Sequence, residues 1–178
     1  MVTYVKRQQP LVKTANEFGY TPRILDAVEA VNYDQKSVIS NKVIKYFGEN
    51  LEGKTFAVWG LAFKPETDDM REASSITIIN ALTNKGAKIV AYDPKAQHEA
   101  ETFYLKDNEN VTYASAKYEA LPHADALILV TEWQEFRSPD FDEIKKLLKT
   151  PIFFDGRNQF DKDRMKKMGF EYFQIGVN

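Results

Sequence analysis

Apolar residues in the first third of the chain recur at the spacing of an α-helix. Residues 11–19 predict a short helix that ends at Gly19. A longer helix is predicted from Thr21, its N-cap, and Pro22, its first helical position, to about Gly48. Its apolar positions are Ile24, Leu25, Val28, Val31, Val38, Ile39, Val43, Tyr46 and Phe47. A helix of about 26 residues is roughly 39 Å long, so we expect it to pack against something outside its own domain.

The pattern changes after residue 52. The run TFAVWGLAF at 55–63 is continuously apolar and bounded by turn residues, which is typical of a strand buried on both faces. Further strands are predicted at 87–94, 110–114, 124–131, 151–157 and 171–177, and helices at 74–85, 139–149 and 161–169. Because strands alternate with helices, we predict an α/β fold. It comprises a Rossmann-like doubly wound parallel sheet over residues 53–178, preceded by a helical segment over residues 1–52.

The composition is that of an ordinary globular protein. The 178 residues are 43% hydrophobic and 28% charged, a balance that excludes a disordered chain. The net charge of −2 provides no general positive field for a nucleic-acid backbone. No apolar run approaches the roughly 20 residues that cross a bilayer, and the N-terminus lacks the apolar core of a signal peptide. We therefore expect a cytoplasmic protein without nucleic-acid or membrane partners.

The sequence shows no catalytic or metal-binding pattern. It contains no cysteine, which excludes disulfides, thiolate metal sites and thiol nucleophiles within these residues. His98 and His123 stand in polar or turn segments without other metal ligands at suitable spacing. We interpret both as surface residues, and we expect neither a metal ion nor a catalytic residue in this chain.

A charged stretch, WGLAFKPETDDMREASS at 59–75, follows the first predicted strand. In an open α/β sheet, ligands bind beyond the carboxyl ends of the strands, where this stretch lies. Lys64 and Arg71 precede the next helix, whose N-terminus also favours anions. Arg157 adds a third cation at the same edge, and arginine suits bidentate contact with phosphate or carboxylate. The residues indicate a site for an anionic small molecule, such as a diphosphate, or a solvated loop whose acids neutralise its own cations.

Asp93 stands at the end of the second strand, where a Rossmann domain places its ribose-binding acid. It also precedes Pro94, as turn aspartates do. The loop after the first strand has Gly60 but lacks the second and third glycines of a G-x-G-x-x-G fingerprint. An NAD-binding Rossmann domain is therefore an alternative interpretation, and the missing fingerprint argues against it.

Several ordered motifs resemble one family. GLAFKPETDDMREASS, YDP, ADALILVTEW and FDGRNQFD are similar to the C-terminal domain of the UDP-glucose 6-dehydrogenases, and ILDAVEAVNYDQK is similar to their central dimerisation helix. The resemblance covers residues 11–178. TDDMRE and DGRNQFD favour UDP-glucose over GDP-mannose or UDP-N-acetylmannosamine. The resemblance implies a two-step, NAD-dependent oxidation of UDP-glucose to UDP-glucuronate, with an N-terminal Rossmann domain for NAD and an active site between the domains.

The resemblance also implies roles for four residues. Phe63 and Lys64 match the pair that contacts the substrate, and Arg157 of the DGR motif matches a second substrate-binding position. Arg71 matches the arginine that reaches toward the NAD side, which makes it the implied cofactor-binding residue. UDP-glucose or UDP is the implied ligand, and the long helix implies a homodimer.

The chain departs from the family pattern before residue 11. The family nucleophile is a cysteine in a Cys-Phe-Pro-Lys-Asp motif; its position falls on Thr3, and the motif aspartate falls on Arg7. Threonine does not replace a thiol at neutral pH, because its hydroxyl needs an activating base. With the NAD domain also missing, we expect the UDP-binding part of a dehydrogenase, inactive by itself. The alternatives are a non-catalytic nucleotide-sugar-binding or dimerisation module, and the equivalent part of a GDP-mannose or UDP-N-acetylmannosamine dehydrogenase.

Overall fold

The structure, a computed structural model, describes the backbone of residues 5–176 and the side chains of residues 11–176. The chain divides into two compact units, one up to Val38 and one from Ile39 onward. This division falls inside a long helix, whereas the domain boundary predicted between residues 52 and 53 follows the change in sequence pattern. That boundary stays a prediction, and Thr3 lies outside the described residues.

The first unit consists of helix α1 (Val5–Glu17) and the N-terminal part of helix α2 (Arg23–Phe47). α1 starts well before its predicted first residue and contains Pro10, whose missing N–H removes one hydrogen bond without ending the helix. α2 begins after Pro22 and ends before Gly48, which has a φ of 95°. The predicted long helix is confirmed. Among the described residues, no helix combines the length and apolar character that a membrane span requires.

The second unit is built on a six-stranded parallel sheet with the order β3-β2-β1-β4-β5-β6. Its strands are β1 (Thr55–Trp59), β2 (Lys88–Tyr92), β3 (Val111–Tyr113), β4 (Ala126–Leu129), β5 (Ile152–Asp155) and β6 (Glu171–Gln174). Every strand lies within a predicted one, and the order is that of a doubly wound sheet. The predicted Rossmann-like α/β fold class is confirmed.

Helices join the strands of this sheet. They are α3 (Ser74–Thr83), α4 (Gln97–Glu99), α5 (Phe141–Leu147) and α6 (Lys162–Lys167). Asp140 and Asp161 cap α5 and α6, because their carboxylates accept N–H groups of the first helical turn. α4 continues as a π-helical turn at Ala100–Tyr104. The sequence pattern does not predict this segment, because so short a stretch shows no clear helical periodicity.

The C-terminal part of α2 packs on the sheet within the second unit. Ile39 and Val43 are buried, and the rings of Tyr46 and Phe47 make edge-to-face or tilted contacts with aromatic residues of the strands. These partners are Phe154 and Phe173 for Tyr46, and Phe56 and Phe154 for Phe47. The Tyr46 hydroxyl also donates to Glu171 Oε2. This half of the helix therefore belongs to the α/β core.

Gly60, directly after β1, lets the loops that follow β1 and β4 come together. Its φ of 91° is a left-handed conformation that favours glycine. A Cβ at this position would lie 2.5–2.9 Å from the backbone and Cβ atoms of Thr131. β1 and β4 are neighbours at the centre of the sheet, where the strand order reverses and doubly wound sheets bind ligands. The glycine thus sets the shape of the carboxyl edge.

Asp125, directly before β4, links neighbouring segments at the amino edge of the sheet, opposite the carboxyl edge. Its Oδ2 accepts hydrogen bonds from the Thr55 N–H and from Lys149 Nζ, both at 2.9 Å, and Lys54 Nζ lies 3.6 Å from Oδ1. Burial disfavours the charge on this carboxylate. The Thr55 hydrogen bond and the two lysines together outweigh burial and hold the pKa of Asp125 below its ordinary value.

Asp125→Asn should lower the free energy of unfolding by about 1–3 kcal/mol near neutral pH, because the amide keeps the shape but loses the charge-assisted contacts. A carboxyl group with a depressed pKa stabilises the fold fully above its ordinary value of about 3.9, and this contribution is lost as the pH falls through the folded-state value. Urea unfolding should therefore show a gap between wild type and variant that shrinks in acid.

Asp142→Asn is the control for this prediction, since Asp142 has a side chain that is 87% exposed. We expect the control to change the unfolding free energy by no more than about 0.5 kcal/mol. A gap for Asp125→Asn that stays the same from neutral to acidic pH would contradict the assigned ion pairs.

Candidate functional site

The carboxylate of Asp93, directly after β2, fixes the loops at the carboxyl edge of the sheet. Its Oδ2 accepts hydrogen bonds from the backbone N–H groups of Leu61 at 2.6 Å and Ala62 at 3.0 Å, and from the indole N–H of Trp133 at 3.0 Å. Its Oδ1 accepts from the two N–H groups of residues 95–96 at 2.9 and 2.8 Å. One side chain therefore joins the loops that follow β1, β2 and β4.

The same contacts decide between the two interpretations of Asp93. The residue is only 2% exposed, and both of its oxygens are occupied by donors from the chain itself. A ribose hydroxyl therefore has no access to this carboxylate. Because the glycine fingerprint is also absent, the α/β unit does not fit a dinucleotide in the usual Rossmann manner. Asp93 is a turn aspartate that also holds two further loops.

The loop after β1 is anchored at its start. Ala62 O accepts a hydrogen bond from the Thr131 hydroxyl at 2.5 Å. Phe63 is buried, with 8% of its surface exposed, and donates its N–H to Asp69 O at 2.9 Å. The main chain that leads into Lys64 is therefore held on both sides.

The loops after β1 and β5 contain residues other than glycine that adopt a left-handed backbone conformation. Glu66 and Glu72, after β1, have φ values of 64° and 62°, and Asn158, after β5, has a φ of 52°. Such conformations cost about 1 kcal/mol or more for residues other than glycine, and they persist where surrounding contacts impose them. Both loops are thus held in shapes that the local sequence alone does not favour.

Arg157, in the loop after β5, is held by the two neighbouring loops. Its Nε donates to Val130 O at 2.7 Å, and its Nη2 donates to Phe63 O at 3.2 Å. The side chain is 21% exposed. No hydrogen bond of Nη1 is found within the described residues, so the N–H donors of that nitrogen remain uncommitted.

Glu132 adds a negative charge beside this arginine. Its Oε2 lies 2.8 Å from Arg157 Nε, but the single Nε proton points to Val130 O. The contact is therefore an ion pair without a hydrogen bond, and within residues 11–176 the buried Oε2 atom of Glu132 has no hydrogen-bond donor. The carboxylate orients the guanidinium electrostatically and offsets part of its charge.

The other two predicted cations differ from each other. Lys64 directly follows Phe63, whose carbonyl holds Arg157, so the structure brings the backbone of Lys64 and the guanidinium of Arg157 together. Lys64 is exposed, and no polar partner for it lies in the described part of the chain. Arg71 instead binds the Asp69 carboxylate through hydrogen bonds of 3.0 and 3.1 Å, which raise the pKa of Arg71. Its side chain is 73% exposed.

This arrangement suits an anion with several oxygen atoms. Arg157 presents uncommitted N–H donors, and Lys64 presents an exposed charge. Helix α3 begins at Ser74 without a side-chain cap, which leaves N–H groups and the positive end of the helix dipole at the same edge. Phosphate oxygens match all three kinds of donor.

The described residues provide no cluster of metal ligands. Between residues 11 and 176, no three histidine, aspartate or glutamate side chains are grouped so that they could hold a metal ion. His98 and His123 are exposed, which confirms their interpretation as surface residues.

The residues that hold the cations were missed by the sequence analysis. Neither Glu132 nor Asp155 received a role of its own, although the buried Asp155 carboxylate accepts the N–H of Arg157 at 2.8 Å. The sequence did contain a signal for Asp155. An acid that ends or directly follows a buried strand lies at the carboxyl edge of the sheet, as Asp93 does. Tyr172, whose hydroxyl donates to Asp155 Oδ2 at 2.5 Å, could not be found in this way. Its contact depends on the pairing of β6 with β5.

Comparison with known proteins identifies the family. Residues 57–162 match the model of the UDP-glucose/GDP-mannose dehydrogenase family, UDP binding domain. The UDP-glucose 6-dehydrogenase of Rhizobium meliloti (strain 1021) is 42% identical over 93% of this chain, and the enzyme of the same name from Pseudomonas aeruginosa is 41% identical over 97%. The chain spans 37% and 39% of the length of these two relatives.

Solved structures agree with this assignment. A UDP-glucose dehydrogenase from the hyperthermophilic archaeon Pyrobaculum islandicum has a TM-score of 0.77 and 25% identity, over 98% of this chain and 37% of that one. A GDP-mannose dehydrogenase from Pseudomonas aeruginosa has a TM-score of 0.68 at 15% identity, which shows a shared fold alone. With the predicted motifs, the six-stranded sheet and the match over residues 57–162 in agreement, the chain belongs to the UDP-glucose/GDP-mannose dehydrogenase family and carries its UDP-binding domain.

Proposed function

We propose that this chain binds the UDP portion of UDP-glucose at the carboxyl edge of its sheet, as the substrate-binding part of an NAD-dependent UDP-glucose 6-dehydrogenase. One observation carries the proposal. The guanidinium of Arg157 is held by the carbonyls of Phe63 and Val130, and it keeps uncommitted donors next to the loop that bears the exposed Lys64. The diphosphate lies against these two cations.

The fixed position of Arg157 matters for affinity. An arginine that is free in solution loses conformational entropy when a ligand orders it. Here folding has already ordered the guanidinium, so a diphosphate gains charge-assisted hydrogen bonds with less ordering at the moment of binding. Lys64 adds an exposed charge on a flexible side chain that adapts to the second phosphate.

Phe63 contributes to this site through its main chain. Its ring is buried, while its carbonyl holds Arg157 and its peptide bond leads into Lys64. The substrate contact that the resemblance implies for Phe63 is therefore one of backbone atoms rather than of the ring face.

Arg71 is proposed to face NAD. It is exposed at the far end of the loop after β1 and is oriented by Asp69. NAD is proposed to be bound mainly by other parts of the whole enzyme, because Asp93 is closed to a ribose and the α/β unit lacks the glycine fingerprint. NAD would accept the hydride in each of the two oxidation steps.

The names of the relatives support UDP-glucose, rather than another nucleotide sugar, as the ligand of this chain. Both curated relatives named above are UDP-glucose 6-dehydrogenases. A UDP-D-ManNAc dehydrogenase from Pyrococcus horikoshii is 24% identical with a TM-score of 0.63, and carries an argument about fold alone. A non-catalytic nucleotide-sugar-binding or dimerisation module is the second candidate function, and the absence of cysteine from these 178 residues favours it for the chain in isolation.

The long helix is proposed to form a homodimer. Large apolar side chains of the first unit are exposed to solvent, which is unusual for a helix pair without a partner. They are Leu11, Phe18, Tyr20, Ile24, Val31 and Tyr33, with exposures between 51% and 84%.

Lys64→Ala and Arg157→Ala should each weaken UDP binding about tenfold or more in calorimetric titration, because each removes a charge-assisted phosphate contact. The loss should be larger at low salt and should be absent for uridine, which has no phosphate. Lys88→Ala and Lys167→Ala are matched controls, because Lys88 begins β2 and Lys167 ends α6, which places both exposed cations away from the carboxyl edge. Wild-type protein that does not bind UDP, or equal losses in the controls, would refute the assigned site.

No NADH should form when the purified chain is mixed with UDP-glucose and NAD, because these residues lack the glycine fingerprint that would hold NAD for the first hydride transfer and the thiol on which the second oxidation depends. Absorbance of NADH measures this directly. Sustained NAD reduction at a rate proportional to protein concentration would show that the chain is an enzyme by itself.

Ile24→Glu together with Val31→Glu should shift the chain from dimer to monomer in light scattering at micromolar concentration, because charges replace apolar contact area between protomers. Phe103→Glu is the control, since Phe103 is an equally large exposed side chain, 61% accessible, in the second unit. A wild-type chain that is already monomeric would count against the homodimer.

A further inference from the structure

We propose that Asp155 and Tyr172 are positioning residues that hold Arg157 in its anion-binding orientation. The inference rests on the proposed function, in which Arg157 contacts the diphosphate. Neither residue needs to touch the ligand. Asp155 is completely buried, and Tyr172 is 8% exposed, so both act through the loop that carries the arginine.

The carboxylate of Asp155 accepts hydrogen bonds from several backbone N–H groups of this loop. Its Oδ1 accepts the N–H of Arg157 at 2.8 Å. Its Oδ2 accepts the N–H groups of Gln159 and Phe160 at 2.7 and 3.2 Å. Three backbone donors converge on one side chain, so the path of the chain from residue 156 to residue 160 is fixed. The Cα atom of Arg157 is thereby held independently of the contacts of its side chain.

Tyr172 completes the set of donors to Asp155. It lies on β6, the edge strand paired with β5, and its hydroxyl donates to Asp155 Oδ2 at 2.5 Å. The hydroxyl also lies 3.1 Å from Phe160 O, but its single proton goes to the nearer, charged acceptor. Burial, together with the hydrogen bond to Asp155 and its negative charge, raises the pKa of Tyr172. The hydroxyl therefore remains a donor at neutral pH.

A second set of contacts holds the other side of the loop. Asn158 Nδ2 donates to Ile175 O at 3.0 Å, and the N–H of Ile175 donates to Asn158 Oδ1 at 2.8 Å. A Cβ at Gly156 would lie 2.8 Å from Leu129 O, so the loop sits directly on the end of β4. Held in this way, Arg157 reaches the carbonyls of the two neighbouring loops.

Removal of the Tyr172 hydroxyl has a specific consequence. Asp155 keeps its three backbone N–H donors, so the loop still folds. Its Oδ2 loses the shortest of its hydrogen bonds, and the loop samples more conformations. Arg157 must then be ordered by the ligand, which lowers affinity. An effect of this kind acts only through Arg157, and a double-mutant cycle detects it.

The test measures UDP affinity by calorimetry for the wild type, Tyr172→Phe, Arg157→Ala and the double variant. We expect Tyr172→Phe to weaken binding about fivefold to tenfold, and to cause no further loss once Arg157 is alanine. Equal losses in both backgrounds would overturn positioning through Arg157. Tyr113→Phe is the matched control and should leave affinity unchanged. It removes another buried hydroxyl, on β3, for which residues 11–176 provide no hydrogen-bond partner.

Hydrogen exchange distinguishes failure of this inference from failure of the proposed function. In the ligand-free protein, Tyr172→Phe should accelerate exchange at the amides of Arg157, Gln159 and Phe160, while Tyr113→Phe should not. Unchanged exchange at these amides would overturn the positioning role, whether or not UDP binds. Faster exchange in a protein that binds no UDP would support the positioning role and overturn the proposed ligand.

Discussion

The carboxylate of Asp93 fixes the carboxyl edge on which the proposed ligand site depends. A buried carboxylate destabilises a fold unless its oxygens receive hydrogen bonds, and Asp93 receives them from the loops after three different strands. Asp155 does the same for the loop after β5. The loops that carry the cations of the site are therefore held by two buried acids, neither of which is exposed enough to contact a ligand.

These contacts explain how a chain of nearly neutral net charge can offer the anion site that we propose. The cationic groups are few, but the contacts of Arg157 with two backbone carbonyls place it before a ligand arrives. The Glu132 carboxylate, whose Oε2 lies 2.8 Å from Arg157 Nε, offsets part of the guanidinium charge. Such a site depends on geometry more than on overall potential, which suits a small ligand with a defined diphosphate and not a long polyanion.

The fold was largely predictable from the sequence, whereas the contacts within the site were not. Continuous apolar runs revealed the central strands β1, β4 and β5, because burial on both faces of a parallel sheet demands them. The alternation with helical patterns located the outer strands, which are only partly buried. The position of Lys64 and Arg157 at the carboxyl edge followed from the same rule. The role of Asp93 was left open between ribose contact and turn, since only the tertiary structure shows which donors reach it. Tyr172 depends on strand pairing, which periodicity does not encode.

A crystal structure of this chain grown with UDP tests the central claim most directly. The account predicts that the diphosphate lies within hydrogen-bond distance of Lys64 Nζ and Arg157 Nη1, while the loops held by Asp93 and Asp155 keep their ligand-free conformation. UDP bound elsewhere on the chain, or bound at this edge only after these loops have rearranged, would contradict a preformed site.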